Sequence, residues 1–224
     1  MIGLPGTLLV VAPHADDEVL GAGGLIYRVN NAGGTVLVLI LNPQLGEWAG
    51  RMDEARAGLN VLGGGDLHVA CYSGQYRFLD QVPHHEIVDS IESSIQAVRP
   101  DWLLMPDGDG MDDHQDHRIA SHACLTACRP SGGTGQWRPP VVAAYEHMAD
   151  AWPPRPRAEP NLIVSLSQED VYAKVLAMRE HKSQYRAYPS ERSAEAIEGF
   201  AALRGGQHGV GHAEAFVQLR GVVL

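Results

Sequence analysis

The sequence predicts an α/β fold with a mostly parallel, Rossmann-like sheet and helices on both faces. Two observations support this prediction. Short, continuous apolar runs such as Thr7–Ala12 are typical of strands that are buried on both faces. Segments with helical spacing of apolar residues follow these runs, which indicates right-handed crossovers between parallel strands. Because ligands bind at the carboxyl ends of the strands in such sheets, we expect the active site in the loops that follow them.

The first half of the chain alternates strands and helices in a regular order. Apolar runs predict strands, recurrence of apolar residues every three or four positions predicts helices, and glycine or proline marks the helix ends. Thus the second helix stops at three consecutive glycines, 63–65, and the third is closed by Pro100. In order, the predicted elements are strand Thr7–Ala12, helix Glu18–Asn31, strand Val36–Leu41, helix Met52–Leu62, strand Leu67–Cys71, helix Glu86–Val98, strand Trp102–Met105 and helix His117–Cys128.

The second half of the chain is less regular. It predicts a strand at Val141–Tyr145, a strand at Asn161–Leu166 and a helix at Gln168–His181. Four prolines in Ala151–Pro160 predict a surface excursion rather than a helix or an inner strand. Because too few residues follow this stretch to form an independent core, we expect a single domain over residues 1–224.

Composition excludes several classes of protein. The net charge of −10 argues against nucleic-acid binding, which favours a basic surface. No stretch approaches ~20 uninterrupted apolar residues, which argues against a membrane span. The three cysteines are too few for a disulfide framework, and we expect a cytoplasmic protein in which Cys124 and Cys128 pack rather than form a bridge. The 11 histidines raise the question of a metal site or catalytic site.

Two polar clusters follow predicted strands. Pro13-His-Ala-Asp-Asp-Glu18 comes directly after the first strand, where charged groups are costly unless they are paired or bind a cation. His14 and Asp17 are three positions apart, so both can point at one ion such as Zn²⁺, while Asp16 is left for proton transfer. The alternative is helix capping, with an aspartate as the cap and Glu18 near the positive end of the helix dipole.

The second cluster follows the fourth strand in a glycine-rich, acidic loop that ends in His114-Gln-Asp-His117. His114 and His117 are again three apart and can face one site, with Asp116 as a partner for an imidazole N–H. A solvated acidic loop is the alternative, but it does not explain two histidines in so short a frame. Three protein ligands would leave one position for water, as in catalytic zinc sites.

These two motifs at this spacing resemble those of the LmbE-like/PIG-L N-acetylglucosamine deacetylases, which carry PHPDDE and HPDH. Two further stretches are similar to the family pattern. Arg51-Met-Asp-Glu54 resembles its R-x-x-E helix, and His181-Lys-Ser-Gln184 resembles its H-x-S-Q motif. The chain departs from the family at Ala15 and Gln115, where proline is usual; neither position supplies a ligand, so loop stiffness rather than chemistry is affected.

The resemblance implies a role for each matching residue. His14, Asp17 and His117 would hold Zn²⁺, with Fe²⁺ as another possible metal. Asp16 would be the general base that takes a proton from metal-bound water. His114, as a protonated imidazole, would stabilise the oxyanion, and Asp116 would orient His114. The expected substrate-binding residues are Arg51 and Asp80.

We therefore expect a zinc-dependent amide hydrolase that removes acetate from a small-molecule N-acetylated amino sugar or glycoconjugate, and that forms a homo-oligomer. Two alternatives stay open. One is a dinuclear metallohydrolase, because Asp112-x-His114-x-Asp116-His117 resembles the H-x-H-x-D-H motif of metallo-β-lactamase-type enzymes. The other is a non-catalytic, metal-stabilised sugar-binding protein. His147 could contact substrate or be an ordinary surface histidine, and His181 could match the family motif or be a cation at the C-terminal end of a helix. The glycine-rich segment 205–212 could close over the site or simply connect two elements.

Overall fold

The computed structural model describes residues 3–42, 50–108, 114–130, 135–151 and 158–222. Seven strands form one sheet in the order β3-β2-β1-β4-β5-β7-β6. The strands are β1 (Thr7–Ala12), β2 (Thr35–Ile40), β3 (Asp66–Val69), β4 (Trp102–Pro106), β5 (Val141–Tyr145), β6 (Leu162–Leu166) and β7 (His212–Gly221). The helices are α1 (Asp17–Asn31), α2 (Arg51–Val61), α3 (His84–Val98), α4 (Gln115–Ala127), α5 (Gln168–Glu180) and α6 (Ala194–Gln207).

The predicted α/β class is confirmed, with one antiparallel addition. Strands β1 to β5 pair in parallel, whereas β7 pairs antiparallel with both β5 and β6. The alternating order of the first four strands and helices has no early β-hairpin among the described residues. A metallo-β-lactamase-type fold, which requires such hairpins, is therefore excluded.

Two apolar cores lie on opposite faces of the sheet because successive side chains of a strand point to opposite faces. In β1, Leu8 and Val10 join the core formed with α1, α2, α5 and α6, while Leu9 and Val11 join the core formed with α3 and α4. Cys124 and Cys128 are free and buried in the second core. This confirms the prediction that they pack rather than form a bridge.

The C-terminal region is where the structure departs most from the predicted elements. Residues 205–207, expected in a glycine-rich loop, are the last turn of α6, and residues 208–211 connect this helix to β7. The proline-rich excursion falls mostly on residues 152–157, outside the described residues. None of the helices in the described ranges combines the length and apolar character that crossing a bilayer requires.

Candidate metal centre and active site

The site lies where the strand order reverses direction. β1 and β4 are neighbours in the sheet, but the chain continues from them to opposite sides. Such a switch point leaves a crevice at the carboxyl ends of the two strands. The 14–18 segment follows β1 and residues 114–117 follow β4, so the two sequence clusters meet there.

The three predicted metal ligands are buried and in contact. Oδ2 of Asp17 lies 3.3 Å from Nδ1 of His14 and 3.2 Å from Nε2 of His117. Donor atoms held about 2.0–2.2 Å from a tetrahedral Zn²⁺ are separated by about 3.3–3.6 Å. The backbone N–H of His14 also donates to Oδ2 of Asp17 at 2.8 Å, which fixes the carboxylate. The donor types and these two separations suit a zinc ion. His14, Asp17 and His117 do not, however, form one of the groups whose donor atoms all lie within 4.8 Å of one another.

The charge balance of this cluster also fits a cation. Burial alone would raise the pKa of Asp17, but the His117 and His14 imidazoles hold that pKa well below its ordinary value. Burial lowers the pKa of His14, yet the carboxylates of Asp116 and Asp17 outweigh it and raise the pKa to about 9. The buried carboxylates therefore demand positive charge beside them, from a proton or from a metal ion.

The sequence alone did not decide the role of His147, whose imidazole is of the kind that binds metals. It follows β5, is buried, and stacks on the Tyr145 ring with centroids 5.4 Å apart. Its Nδ1 lies 3.9 Å from Oδ1 of Asp17. Two groups of side chains have donor atoms within 4.8 Å of one another: His14 with His114 and His117, and Asp17 with His117 and His147. A position directly after a buried strand was the only sequence signal for His147.

Asp116 has a different partner from the one expected. Its Oδ2 lies 2.8 Å from Nε2 of His14 and accepts from Nδ2 of Asn42 at 2.7 Å, while Oδ1 accepts from the Leu79 N–H at 2.7 Å. The expectation that Asp116 orients His114 is therefore corrected: its carboxylate orients His14. The physical reason is that Asp116 is in the first turn of α4, from which its carboxylate reaches His14 in the loop after β1. A carboxylate on the outer nitrogen of a histidine ligand is common in zinc sites.

His114 is the N-cap residue of α4. Its Nδ1 accepts a hydrogen bond from the Asp116 N–H at 3.2 Å. This contact orients the imidazole at the start of α4. The expected role of His114 as a protonated imidazole stays a prediction. The ring lies beside His14 and His117, with centroids 4.8 and 5.3 Å away.

Asp16 is buried and held at both carboxylate oxygens by arginines. Arg51 donates to Oδ1 at 3.0 Å and Arg192 donates to Oδ2 at 3.0 Å. Arg51, a predicted site residue, also donates to the Ala15 carbonyl. Arg192 was not singled out from the sequence, since it lies 176 positions from Asp16 in a segment without a recognisable pattern.

The backbone of Asp16 is in an unusual conformation. Its φ of 115° lies in the left-handed region that non-glycine residues rarely adopt. The Asp16 N–H donates to Oε2 of Glu18 at 2.9 Å, and Oε1 of Glu18 lies 3.1 Å from Nε2 of His181. Strained residues persist where their surroundings hold them, and they concentrate at functional sites.

The two remaining motifs connect helices to the site. Glu54 of α2 accepts from the N–H and the hydroxyl of Ser183 at 3.0 and 2.6 Å, which joins the R-x-x-E and H-x-S-Q segments. His181 is completely buried, so it is not the exposed end of a helix. The Glu54–Ser183 contact holds α2 against the end of α5, and the His181–Glu18 contact holds the end of α5 against the start of α1.

Asp80 is not part of the site. It lies in a short 3₁₀ turn at Leu79–Gln81, is exposed, and is absent from the residues lining the cavity. The structure therefore places Asp80, an expected substrate-binding residue, outside the lining of the cavity, and its role stays a prediction. The neighbouring Leu79 packs inward instead and uses its N–H to hold Asp116.

One cavity of about 1090 Å³ contains the cluster. Its walls include His14, Asp16, Asp17, His114 and His117, together with Arg51, His147 and Arg192. Tyr72, Tyr76 and Phe78 line one side, and α6 with β7 lines another. The cavity therefore joins candidate ligands, a buried carboxylate and hydrogen-bond donors in one space.

Comparisons with known proteins identify the family and the shared fold. The family model PIG-L, GlcNAc-PI de-N-acetylase, matches residues 9–128, more than half of the chain. The diacetylchitobiose deacetylase of Thermococcus kodakarensis is 27% identical over 192 residues, covering 80% of this chain and 70% of that protein. A Rhodococcus erythropolis 1D-myo-inositol 2-acetamido-2-deoxy-alpha-D-glucopyranoside deacetylase is 28% identical over 65% of this chain, which spans 57% of its length.

The solved structure of N,N'-diacetylchitobiose deacetylase from Pyrococcus horikoshii superposes with a TM-score of 0.76 at 21% identity, covering 96% of this chain and 84% of that one. At this identity the likeness shows the shared fold. The likeness in fold extends beyond residue 128, where the family model ends.

Proposed function

The chain belongs to the PIG-L family, and from this premise we propose that it is a metal-dependent hydrolase that removes the acetyl group from an N-acetylated amino sugar of the N-acetylglucosamine type. The products would be acetate and a free amine. One observation carries the proposal. The buried Asp16 carboxylate lines the same cavity as a compact group of Asp and His donors, next to Asp17 in the chain.

Zinc is the metal we propose, held by His14, Asp17 and His117, with Fe²⁺ as the alternative. Carboxylate and imidazole donors suit Zn²⁺, and the Asp116 contact leaves Nδ1 of His14 directed toward Asp17. A bound Zn²⁺ would make water acidic near neutral pH and would polarise the amide carbonyl. His147 lies close enough to Asp17 to bind a second metal or to position substrate.

The protein side chains would then perform the proton transfers. Asp16, as a carboxylate, would accept a proton from the attacking water, and its two arginines would keep it in place. His114 would donate its Nε2–H to the oxygen that becomes negative in the tetrahedral transition state. The proton on Asp16 or His114 would finally pass to the leaving nitrogen.

The direct test is acetate release from a panel of N-acetylglucosamine glycosides and conjugates by the zinc-loaded protein. We expect release by the wild type and a loss of about 10²–10⁴-fold in kcat for Asp16→Asn, the usual contribution of a general base. Zinc content, measured by elemental analysis, should stay at the wild-type level in this variant. Full activity of Asp16→Asn would contradict the base assignment, and no release from any member of the panel would contradict the proposed reaction.

The ligand assignment has its own test. His117→Ala should lose bound zinc, because it removes a donor shared by both donor groups. Exposed His122 on α4 provides the matched control, and His122→Ala should retain the metal. Undiminished zinc in His117→Ala would contradict the assignment. Two equivalents of zinc per wild-type chain would favour a dinuclear site within this fold, whereas zinc binding without acetate release would favour a sugar-binding protein. Cytoplasmic location and a homo-oligomer stay predictions.

A further inference from the structure

Asp16 occupies the N-cap position of α1, but its side chain does not cap the helix. An N-cap aspartate ordinarily has an extended backbone, and its carboxylate accepts from the N–H groups of the first helical turn. Asp16 instead has a φ of 115°, and its carboxylate makes no capping hydrogen bond. The two carboxylate oxygens accept from Arg51 and Arg192. The left-handed backbone therefore accompanies a carboxylate that lines the cavity.

The peptide group between Ala15 and Asp16 is held on both of its sides. Arg51 donates to its carbonyl, and its N–H donates to Oε2 of Glu18 at 2.9 Å. The next carbonyl, that of Asp16, accepts from two N–H groups in the first turn of α1. The φ angle of Asp16 is the rotation that joins this peptide to the helix. Because Glu18 belongs to the helix, its carboxylate holds the peptide in the rotation that gives the positive φ.

Glu18 is itself held in place by His181. Both side chains are buried, and Oε1 of Glu18 lies 3.1 Å from Nε2 of His181. The imidazole follows the last residue of α5 and packs closely on α2, where a Cβ added at Gly58 would lie 3.1 Å from Nε2. The Glu18 carboxylate therefore has one oxygen on the Asp16 N–H and the other beside a confined imidazole. It cannot rotate away without leaving a buried partner unpaired.

The rotation of the Ala15–Asp16 peptide decides where the proposed base lies. Asp16 stands between His14 and Asp17 in the sequence, so a change in its φ would move its carboxylate relative to both predicted ligands. Non-glycine residues favour negative φ, and a residue with positive φ keeps it only where its surroundings restrain it. Displacement of a reacting group by about 1 Å can cost about 10²-fold in rate. A contact that fixes this rotation therefore affects the proposed reaction directly.

We propose that Glu18 is a positioning residue for the base Asp16, and that His181 acts through Glu18. The Glu18 carboxylate holds the Asp16 N–H and thereby keeps the Asp16 carboxylate in the cavity beside the candidate ligands. Neither Glu18 nor His181 is among the described residues that line the cavity, so neither side chain would touch substrate. This inference rests on the proposed function, because it takes Asp16 as the general base.

Glu18→Met removes the acceptor and keeps a side chain of similar length. Its kcat for acetate release by the zinc-loaded enzyme should fall by about 10²-fold, with KM near the wild-type value. Glu18→Gln keeps an oxygen that can accept from the Asp16 N–H and should retain most of kcat. The matched control is Glu195→Met, at the exposed second residue of α6, which should leave kcat unchanged. No loss in Glu18→Met, or an equal loss in Glu18→Gln, would overturn the proposal.

A double-mutant cycle tests whether His181 acts through Glu18. His181→Leu alone should lower kcat, because the Glu18 carboxylate loses the partner that holds it. The double variant Glu18→Met/His181→Leu should have the kcat of Glu18→Met, since no carboxylate is left for His181 to hold. This double variant also leaves neither partner of the pair buried alone, which favours folding. Losses of kcat that multiply in the folded double variant would overturn the role of His181.

Hydrogen exchange of the Asp16 amide, measured by NMR, separates this inference from the proposed function because it needs no substrate. The amide should be protected in the wild type and should lose protection in Glu18→Met. The amides of Val19 and Leu20, which donate to the Asp16 carbonyl, are internal controls and should stay protected. Protection that depends on Glu18 would support the inferred contact even if no substrate is deacetylated. Acetate release with unchanged Asp16 exchange in Glu18→Met would overturn the inference and leave the deacetylase proposal intact.

Discussion

At the scale of single residues, Asp16 depends on partners from distant parts of the chain. Its burial and the adjacent Asp17 raise its pKa, and the Arg192 and Arg51 guanidiniums oppose this rise. Arg51 is buried, whereas one third of the Arg192 side chain is exposed in the cavity. Arg192 can therefore be substituted with less disturbance of the core, although it contacts the proposed base directly.

Arg192→Gln should lower kcat/KM by at least about tenfold, because a charged hydrogen bond of about 1.5–3 kcal/mol to Asp16 is lost. Without this guanidinium the pKa of Asp16 rises further, so the inactive protonated carboxyl persists to higher pH. The acid limb of the kcat/KM–pH profile should move upward. Arg56→Gln, at an exposed arginine of α2 paired with Asp53, is the control and should leave the profile unchanged. An unshifted acid limb in Arg192→Gln would contradict a role in holding Asp16.

His181 should make stability depend on pH. Burial lowers its pKa, but the carboxylates of Glu18 and Asp16 outweigh burial and raise the pKa above its ordinary value. A raised folded-state pKa stabilises the protein below the unfolded value of about 6.5, and this contribution is lost as pH rises through the folded-state pKa.

The change that tests this is His181→Gln, compared with the wild type by urea unfolding of the zinc-free protein between pH 5.5 and 9. At the acid end the variant should be less stable by about 3–5 kcal/mol, the typical cost of breaking a buried ion pair. The difference should narrow toward pH 9. His122→Gln, at an exposed position, should match the wild type throughout. A difference that stays constant over this range would show that His181 acts by packing alone.

At the scale of elements, α1 is shaped by close approach of its neighbours. A Cβ added at Gly21 would lie 2.3 Å from the Tyr145 ring, and one at Gly24 would lie 2.5 Å from Leu166. Tyr145 donates to the Val11 carbonyl at 3.0 Å and stacks on His147. Small residues on this face therefore allow the helix that carries Asp17 to lie directly against β5.

Gly21→Ala should destabilise the protein by about 1–3 kcal/mol, the usual cost of overpacking, although alanine is the better helix former. The matched control is Gly199→Ala in α6, where an added Cβ meets nothing within 4 Å. That change should stabilise by up to about 1 kcal/mol. The melting temperatures of both variants, measured by thermal unfolding, are compared with that of the wild type. Equal shifts in melting temperature would contradict the close packing of Tyr145.

At the scale of the whole molecule, β7 completes the sheet. The last strand inserts between β5 and β6, and Glu214 on it accepts from the N–H groups of Gly24 and Leu25 in α1 at 2.8 Å each. The C-terminal strand thus contacts the helix that begins at the candidate metal centre. We propose on this basis that residues 1–224 form one cooperative domain.

Deletion of residues 212–224 should prevent folding, because it exposes the edges of β5 and β6 and leaves Lys174 buried without Glu214. For the full chain we expect one unfolding transition with the same midpoint by circular dichroism and by tryptophan fluorescence. A folded deletion variant, or two separate transitions in the full chain, would contradict the single cooperative domain.

The sequence by itself determined the parallel half of the sheet, the order of its helices and the two loops that meet at the candidate metal centre. Hydrophobic periodicity reports local burial, and parallel strands bring their carboxyl ends to one edge of the sheet. These features therefore follow from the sequence pattern alone. It did not find α6, whose glycines and apolar residues do not form one clear stripe. It also placed Asp80 in the site because a local motif does not show which side chains of a turn face inward.

Only the tertiary structure decided the partners of the buried charges. Asp116 is bound to His14 rather than to His114, and Arg192 reaches Asp16 from 176 positions away. Such partners depend on how helices from different parts of the chain pack on the sheet, and no local pattern encodes that packing.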